Sequence, residues 1–242
     1  MSVLTVTPLR HARAQRTGQH SHDAGQLFVV RTGTVQVQTG GTRWLVPAGC
    51  LGWVPPRCAH EADYPAAVEG EMVYVDAGGF CRRAPATLKV VRMTALTQEA
   101  LARISDPAMP WRRRALYALV LADALAHAPS VAAGVPLPVD RRLRRVAEAL
   151  LAMPDDAADL AVWAARAEMS RSTFIRHFRA ETGLGFGEWR QQLRVWRALA
   201  MLMEGRPVTE VALTVGYRSA SAFIQAFRRL HGVTPSAFAD RE

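Results

Sequence analysis

The spacing of hydrophobic residues changes along the chain. Up to about residue 93, short runs alternate apolar and polar side chains, as Val35–Thr39 does, and Gly or Pro residues separate the runs. Gly40 and Gly41 join two such runs, and paired glycines are typical of the tight turn of a β-hairpin. Many short strands of this kind predict a small barrel or a sandwich. From about residue 140 the apolar residues recur at helical spacing, which predicts an all-α C-terminal half.

Two helices and a linker are predicted between these halves. Composition changes near Thr94, and helices are expected over residues 96–104 and 111–127. The second helix has an apolar stripe that either packs on the β domain or pairs with its copy in a dimer; it comprises Leu116, Leu119, Val120 and Leu125. Segment 129–138, PSVAAGVPLP, has the Gly and Pro content of an interdomain linker. We therefore expect a β domain (1–93), accessory or dimerisation helices (94–128), a linker (129–138) and a helical domain (139–242).

The helical half contains one sequence pattern twice. Residues 170–183, SRSTFIRHFRAETG, and residues 219–232, SASAFIQAFRRLHG, share the motif S-x-F-I-x-x-F-R. Each follows a short predicted helix and a corner, at Met169 and at Gly216, and begins with a serine that can cap the next helix. One such unit alone could be a helical hairpin in a core. The repetition instead favours two helix-turn-helix motifs.

A long helix is predicted between the two motifs, over Gly187–Glu204. Eighteen helical residues span about 27 Å. Successive major grooves on one face of B-DNA lie about 34 Å apart. The predicted spacing therefore suits two helices that enter neighbouring major grooves.

Composition narrows the class of protein. The chain has 242 residues, a formal net charge of +9 and 50% hydrophobic residues, which excludes a mainly disordered chain and suits a polyanionic partner. No apolar run approaches the roughly 20 residues of a membrane span, and the N-terminus lacks the apolar stretch of a secretory signal. We therefore expect a cytoplasmic protein without a membrane partner. The three cysteines contain no CxxC pair and are expected to be reduced.

Residues from about 140 to 239 resemble the DNA-binding domain of the AraC/XylS family of transcriptional regulators. The resemblance depends on MSRSTFIRHFRAETG, on the long connecting helix and on VTEVALTVGYRSASAFIQAFRRLHGVTPSAF. It implies promoter DNA as a double-stranded partner, a homodimer, and RNA polymerase as a further partner. No cofactor is implied for DNA binding.

Site residues follow from this resemblance position by position. The base-facing positions of the family correspond to Ser172, Ile175 and Arg176 in the first motif and to Ala220, Ser221 and Gln225 in the second. The chemistry agrees, because Arg176 can donate two hydrogen bonds to guanine and Gln225 can pair with adenine. Phosphate contacts are expected from Arg171, Arg179, Arg228 and Arg229, each of which is otherwise a solvated surface charge.

The N-terminal half resembles the cupin barrels in its histidines. His20 and His22 share one face of an extended segment, Gln26 follows, and His60 comes after Pro55-Pro56. In cupins, His-x-His, a carboxylate and a later His bind a metal ion, and Gln26 replaces the carboxylate with a neutral amide. The three histidines could still bind zinc, nickel or copper. The alternative is an emptied cupin whose histidines hydrogen-bond an organic effector.

These features favour a sequence-specific transcriptional regulator whose cupin-like domain senses a small molecule or a metal ion. AraC-type regulators, NimR-like ones especially, have this order of domains. The competing hypothesis is a metal-dependent cupin enzyme, a dioxygenase or isomerase, with a helical appendage; Gln26 counts against it. A nucleic-acid protein without sequence preference does not explain two helices with different outer chemistry.

Overall fold

The computed structural model describes residues 4–75, 78–131 and 134–240. The chain divides into two compact units, the first consisting chiefly of Met1–Gly40 and Trp44–Ala132 and the second of Gly41–Arg43 and Ala133–Arg241. The division falls within the predicted linker. In the described part of that segment, Val131, Val135 and Leu137 are buried.

The first unit contains short strands in two sheets, as the alternating pattern predicts. Their bounds are β1 (Leu4–His11), β2 (Gln15–Arg16), β3 (Gly25–Thr32), β4 (Thr34–Thr39), β5 (Thr42–Pro47), β6 (Cys50–Val54), β7 (His60–Tyr64), β8 (Val68–Val75) and β9 (Lys89–Arg92). One sheet has the order β1-β8-β3-β6-β9, and in the other sheet β5, β4, β7 and β2 lie side by side in that order. The predicted Gly40-Gly41 turn joins β4 to β5, and both glycines have positive φ angles, of 55° and 74°.

Helices cover one face of the first sheet. They are α1 (Gly79–Arg83), α2 (Ala95–Ser105) and α3 (Trp111–His127). Leu27 and Val29 of β3 belong to the same core cluster as Ile104 of α2 and Leu121 of α3. Because strand side chains alternate, Gln26 and Phe28 lie on the opposite face of β3. This places Gln26 on the side of the sheet that faces away from the helices.

The described part of the second unit is helical apart from the short strand β10 (Val135–Pro136) and the two residues of β5 that pair with it, Thr42 and Arg43. Its helices are α4 (Arg141–Ala152), α5 (Leu160–Arg166), α6 (Arg171–Thr182), α7 (Phe186–Met203), α8 (Val208–Thr214), α9 (Ala220–His231) and α10 (Pro235–Ala239). The long helix α7 buries Trp189, Leu193 and Trp196 along one side. In the described ranges, no helix is both long and apolar enough to cross a bilayer.

Side-chain caps fix where the paired helices begin. The Ser170 hydroxyl accepts a hydrogen bond from the backbone N–H of Thr173, at 3.2 Å, and the Ser219 hydroxyl accepts one from Ala222, at 3.2 Å. Both serines were predicted as caps, and a cap of this kind stabilises a helix by about 1 kcal/mol. The two predicted helix-turn-helix units are therefore present as α5–α6 and α8–α9.

Candidate DNA-reading helices and a histidine cluster

The first helix-turn-helix exposes the residues predicted to face DNA. Phe174 and Phe178 on the inner side of α6 are buried and lie in edge-to-face contact with Phe186. Their burial directs the opposite side of α6 to solvent. The residues exposed on that side include Ser172, Ile175 and Arg176. Ile175 is 44% exposed, so its aliphatic side chain is available to contact a partner.

The second helix-turn-helix has the same inner and outer sides. Phe223 and Phe227 of α9 are buried, whereas Ser221 and Gln225 are exposed and Ala220 is half-buried. Its corner requires Gly216, whose φ is +86° and where an added Cβ would lie 2.7 Å from the Cα of Asp155. A glycine is needed at this position both for its backbone conformation and for the close approach.

The corner of the second motif is one residue longer than the corner of the first. The N–H of Met169 bonds to the carbonyl of Ala164, and the N–H of Tyr217 bonds equivalently to that of Ala212. The capping serine follows Met169 directly, but Arg218 intervenes after Tyr217. In the first corner the left-handed residue is Glu168, with a φ of 56°, directly before Met169.

The four arginines predicted to contact phosphates are all exposed; they are Arg171, Arg179, Arg228 and Arg229. Arg229 donates a hydrogen bond to Oε1 of Gln191 on α7. The other three form no ion pair within the described ranges of the chain. Their guanidinium groups are therefore available for an external anion.

The histidine cluster brings together residues that are distant in sequence. One ring nitrogen from each of His20, His22 and His60 lies within 4.8 Å of the others. The backbones of His20 and His60 exchange two hydrogen bonds, of 2.9 and 2.8 Å. This bridge between the His20 segment and β7 explains why the rings meet.

Backbone carbonyls orient two of the three rings. Nδ1 of His20 lies 2.7 Å from the carbonyl oxygen of Gly18, and Nδ1 of His60 lies 2.9 Å from that of Cys58. A carbonyl only accepts, so in both neutral rings Nδ1 bears the proton and Nε2 bears a lone pair. Nε2 of His22 is buried without a hydrogen-bond partner in the described part of the chain.

Gln26 contacts the cluster from β3. Its Oε1 atom lies 3.0 Å from Nε2 of His60, and its Nε2 atom lies 3.3 Å from the Tyr74 hydroxyl. Since Nε2 of a neutral His60 is an acceptor, it pairs with Gln26 only if the amide is turned by 180°. The turned amide would donate to Nε2 of His60 and accept from the Tyr74 hydroxyl. Each of these contacts would then join a hydrogen-bond donor to an acceptor.

Burial favours the neutral forms of His22 and His60. Desolvation, opposed by the Cys58 carbonyl and assisted by His20 and His22, lowers the pKa of His60 below its ordinary value. Desolvation and then the charge of His20 lower the pKa of His22. Neutral imidazoles are the form that binds a metal ion.

Comparison with known proteins identifies the two units. Residues 6–104 match the family described as "AraC-like ligand binding domain", and residues 163–241 match the one described as "Helix-turn-helix domain". The chain is 29% identical to the HTH-type transcriptional regulator NimR of Escherichia coli K12 over 92% of this chain and 82% of NimR. The chain belongs to the AraC family of transcriptional regulators. Its function is therefore DNA-binding transcriptional regulation, with a ligand-binding domain, and not catalysis by a cupin enzyme.

Other relatives of this AraC-family chain match its C-terminal part. The regulator RipA of Corynebacterium glutamicum is 39% identical over 43% of this chain and 31% of RipA. A crystal structure of the DNA-binding domain of AdpA in complex with a target DNA is 38% identical, covering 39% of this chain and 86% of that one, with a TM-score of 0.38.

Two neighbours of Gln26, Tyr74 and Met72, were not among the predicted site residues. Tyr74 lies opposite Gln26 in the pairing of β3 with β8, and Met72 lies opposite Phe28. Side chains alternate along β8, which puts Met72 and Tyr74 on one face of that strand. The sequence contained no signal for which strand they would pair with.

Proposed function

We propose that α6 and α9 of this regulator read promoter DNA in successive major grooves, and that the histidine cluster of the first unit binds the effector. The observation that supports DNA reading is the outer surface of the two serine-capped helices, where five of the six predicted base-facing side chains are exposed. In this proposal, sensing lies in residues 1–93 and DNA binding in residues 139–242, in the cytoplasm, where RNA polymerase acts.

The outer side chains give the two helices different base preferences. Arg176 is exposed and free of ion pairs within the described ranges, so its guanidinium can donate both hydrogen bonds to O6 and N7 of guanine. Gln225 can bond in two places to adenine, and Ile175 or Ala220 can contact a thymine methyl group. Arg171, Arg179, Arg228 and Arg229 would bind phosphates and set the register of the protein on DNA.

Arg176→Ala tests the assignment of base reading. Genomic fragments bound by the purified wild-type protein would first supply an operator. On that operator we expect the variant to lose about 1–3 kcal/mol of binding free energy and its preference at one base pair. Affinities for the operator and for each single-base variant measure this. An equal loss on scrambled DNA would instead make Arg176 a phosphate contact.

A divalent transition metal is the effector-site ligand that the cluster fits best. Two histidines donate Nδ1–H to backbone carbonyls, which is the support that metal-binding histidines commonly have, and Nε2 of His22 is buried without a partner. The nitrogens of a tetrahedral zinc site lie about 3.3 Å apart, as Zn–N distances of 2.0–2.1 Å require. The separation of up to 4.8 Å therefore has to shorten when zinc, nickel or copper binds.

An organic effector is the second candidate. Gln26, His60 and Tyr74 already form a row of hydrogen-bonding groups inside the β domain, and Gln26 adds no negative charge to a metal site. A small molecule with its own donors and acceptors could replace these internal contacts. In the first candidate the histidines bind a metal ion, whereas in the second they hydrogen-bond an organic molecule directly.

Metal titration of the full chain separates the candidates. We expect the wild type to bind one equivalent of zinc, nickel or copper, and the His20→Ala/His60→Ala variant to bind none, in calorimetry after removal of metal with a chelator. His127→Ala, which changes an exposed histidine of the same unit, is the matched control and should bind as the wild type does. No uptake by the wild type would favour the organic effector.

We also propose a homodimer that forms through the outer side of α3. Leu116 and Val120 on that side are 64% and 41% exposed, one helical turn apart. Packing the same side of a second copy against them would bury both residues.

A further inference from the structure

A pocket of about 600 Å³ lies within the second unit, beside the corner of the second helix-turn-helix. Its walls come from the loop between α4 and α5, from α7 and from the corner before α9. The residues that matter for its chemistry are Asp155, Arg190, Arg194, Tyr217, Arg218 and Ala222. Neither of the predicted DNA-contact sets includes any of them.

The pocket is strongly positive. Three guanidinium groups, those of Arg190, Arg194 and Arg218, line it together with one carboxylate, that of Asp155. Burial lowers the pKa of Arg190, and the positive charge of the neighbouring Arg194 lowers it further by repulsion between the two cations. An anion in the pocket would relieve this repulsion.

The two arginines of α7 differ in how many of their donors are already used. Arg190 donates to the carbonyls of Ala158 and Asp156 through its two terminal nitrogens. Arg194 donates only Nε, to the carbonyl of Pro154 at 2.9 Å. Its two terminal nitrogens have no acceptor among the described residues, although the group lies near Gly216. These donors are held in place and unused.

Arg218 is the extra residue of the second corner. It is exposed and forms no hydrogen bond or ion pair with the described part of the chain. The first corner caps its helix without such a residue, so the turn itself does not need Arg218. Its position on the pocket wall, with a free guanidinium, indicates a role toward a ligand.

The pocket opens beside the DNA-facing side of α9. Ala222 lines it, and Ala222, Gln225 and Arg229 follow one another at i, i+3 and i+7 on one side of the helix. The hydrogen bond from Arg229 to Gln191 joins that side of α9 to α7. DNA on the outer surface of α9 would therefore pass the pocket.

We infer that Arg218 and the terminal nitrogens of Arg194 bind a phosphate group of the DNA backbone at this pocket, a contact outside the predicted set. Guanidinium groups suit phosphate because they offer parallel N–H donors. The inference rests on the proposed DNA reading by α9. A free phosphate or a phosphorylated metabolite has the same chemistry and is the other source that the test must separate.

The test is the salt dependence of DNA binding by the full-length Arg218→Gln variant on the selected operator. The slope of log K against log salt concentration is negative, and losing one phosphate contact makes it shallower by about 0.9. The advantage of the wild type over the variant should therefore shrink roughly three- to fourfold between 50 and 200 mM salt. The loss should be the same on operator and on scrambled duplex, since a phosphate contact has no base preference.

Two further variants serve as controls. Arg141→Gln removes an exposed arginine on α4 and should leave the slope unchanged. Asp155→Asn removes the carboxylate from the pocket wall and should strengthen DNA binding about twofold, by a decrease in repulsion with phosphate. Thermal melting of each variant verifies that it folds.

Four outcomes are informative. A slope reduced in Arg218→Gln but not in Arg141→Gln supports the inference. An unchanged slope in Arg218→Gln, with a wild type that prefers its operator, overturns the inference and leaves the proposed function standing. Saturable calorimetric binding of inorganic phosphate that is lost in Arg218→Gln, together with an unchanged DNA slope, assigns the pocket to free phosphate and overturns the DNA source. A wild type that binds no DNA overturns both proposals.

Discussion

His231 at the end of α9 is a half-buried histidine beside two aromatic rings. Its ring centroid lies 4.6 Å from that of Phe227 and 5.7 Å from that of Phe238. Burial lowers its pKa to about 4, so the ring is neutral at pH 7. In the unfolded chain the same side chain titrates near its ordinary value of about 6.5. Between these two values the unfolded state binds the proton more strongly than the folded state does.

This difference makes the stability of the second unit depend on pH. Since the unfolded state takes up more protons, the free energy of unfolding falls as the pH drops below about 6.5. We expect a loss of about 2 kcal/mol between pH 7 and pH 5 from this residue. Denaturant unfolding at both pH values measures it. His231→Phe should lose less over that interval, and an equal loss in the variant would contradict the assignment.

At the scale of elements, α3 has two different apolar sides. Ala118, Leu121, Ala122 and Leu125 face the core of the first unit, at 5% exposure or less. Leu116 and Val120 of the predicted stripe are exposed, as is Trp111 at the start of the helix. Packing on its own domain therefore accounts for Leu125 and leaves the outer side available to a second copy.

Self-association through α3 is expected to depend on that outer side. Leu116→Glu with Val120→Glu places two carboxylates on it, and a dimer interface would then have to bury unpaired charges. We expect sedimentation at micromolar concentration to show a dimer for the wild type and a monomer for the double variant. Leu96→Glu on α2, where Leu96 is also exposed at 57%, is the control and should remain dimeric. A monomeric wild type, with and without DNA, would contradict the proposal.

At the scale of the whole molecule, each proposed binding site lies within a single unit. The histidine cluster is built from residues 20–60, and the DNA-facing helices from residues 160–231. An effector can regulate DNA binding only if it binds one of at least two states of the protein more tightly. The differential affinity for these states sets the limit on how far the effector shifts DNA binding.

The His20→Ala/His60→Ala variant therefore has a second expected result. Adding zinc should change the operator affinity of the wild type and leave that of the variant unchanged, because the variant lacks the donors. Without metal the two proteins should bind the operator equally, since all DNA-facing residues are intact. Weaker metal-free binding by the variant would show instead that the cluster stabilises the fold. Fluorescence titrations with labelled operator distinguish these results.

Much of the second unit could be predicted because its signals are local. Ser170 and Ser219 cap helices that begin one residue later, and Phe174, Phe178, Phe223 and Phe227 recur at the spacing of one helix face. The long helix begins at Phe186, one residue before the predicted Gly187. Neighbouring residues specify each of these features, so a single sequence is sufficient to find them.

For the β domain, the sequence predicted the type of secondary structure but not its topology. Its sequence indicated short strands and a hairpin at Gly40-Gly41, but not which strands pair. The proximity of Gln26 to Tyr74 depends on the register of β3 and β8, and register is set by contacts between distant residues. The burial of Val135 and Leu137 likewise depends on what packs against them and not on the Gly and Pro content around them.

The sequence by itself determined the two classes of domain, the repeated helix-turn-helix and the side chains on its outer faces, because hydrophobic periodicity and helix caps act within a few residues. Only the tertiary structure decided that Gln26 contacts Tyr74, which side of α3 is buried, and that Arg218 and Arg194 share a pocket. These features join residues that are far apart in the chain. Their positions follow from strand pairing and packing, which local sequence does not specify.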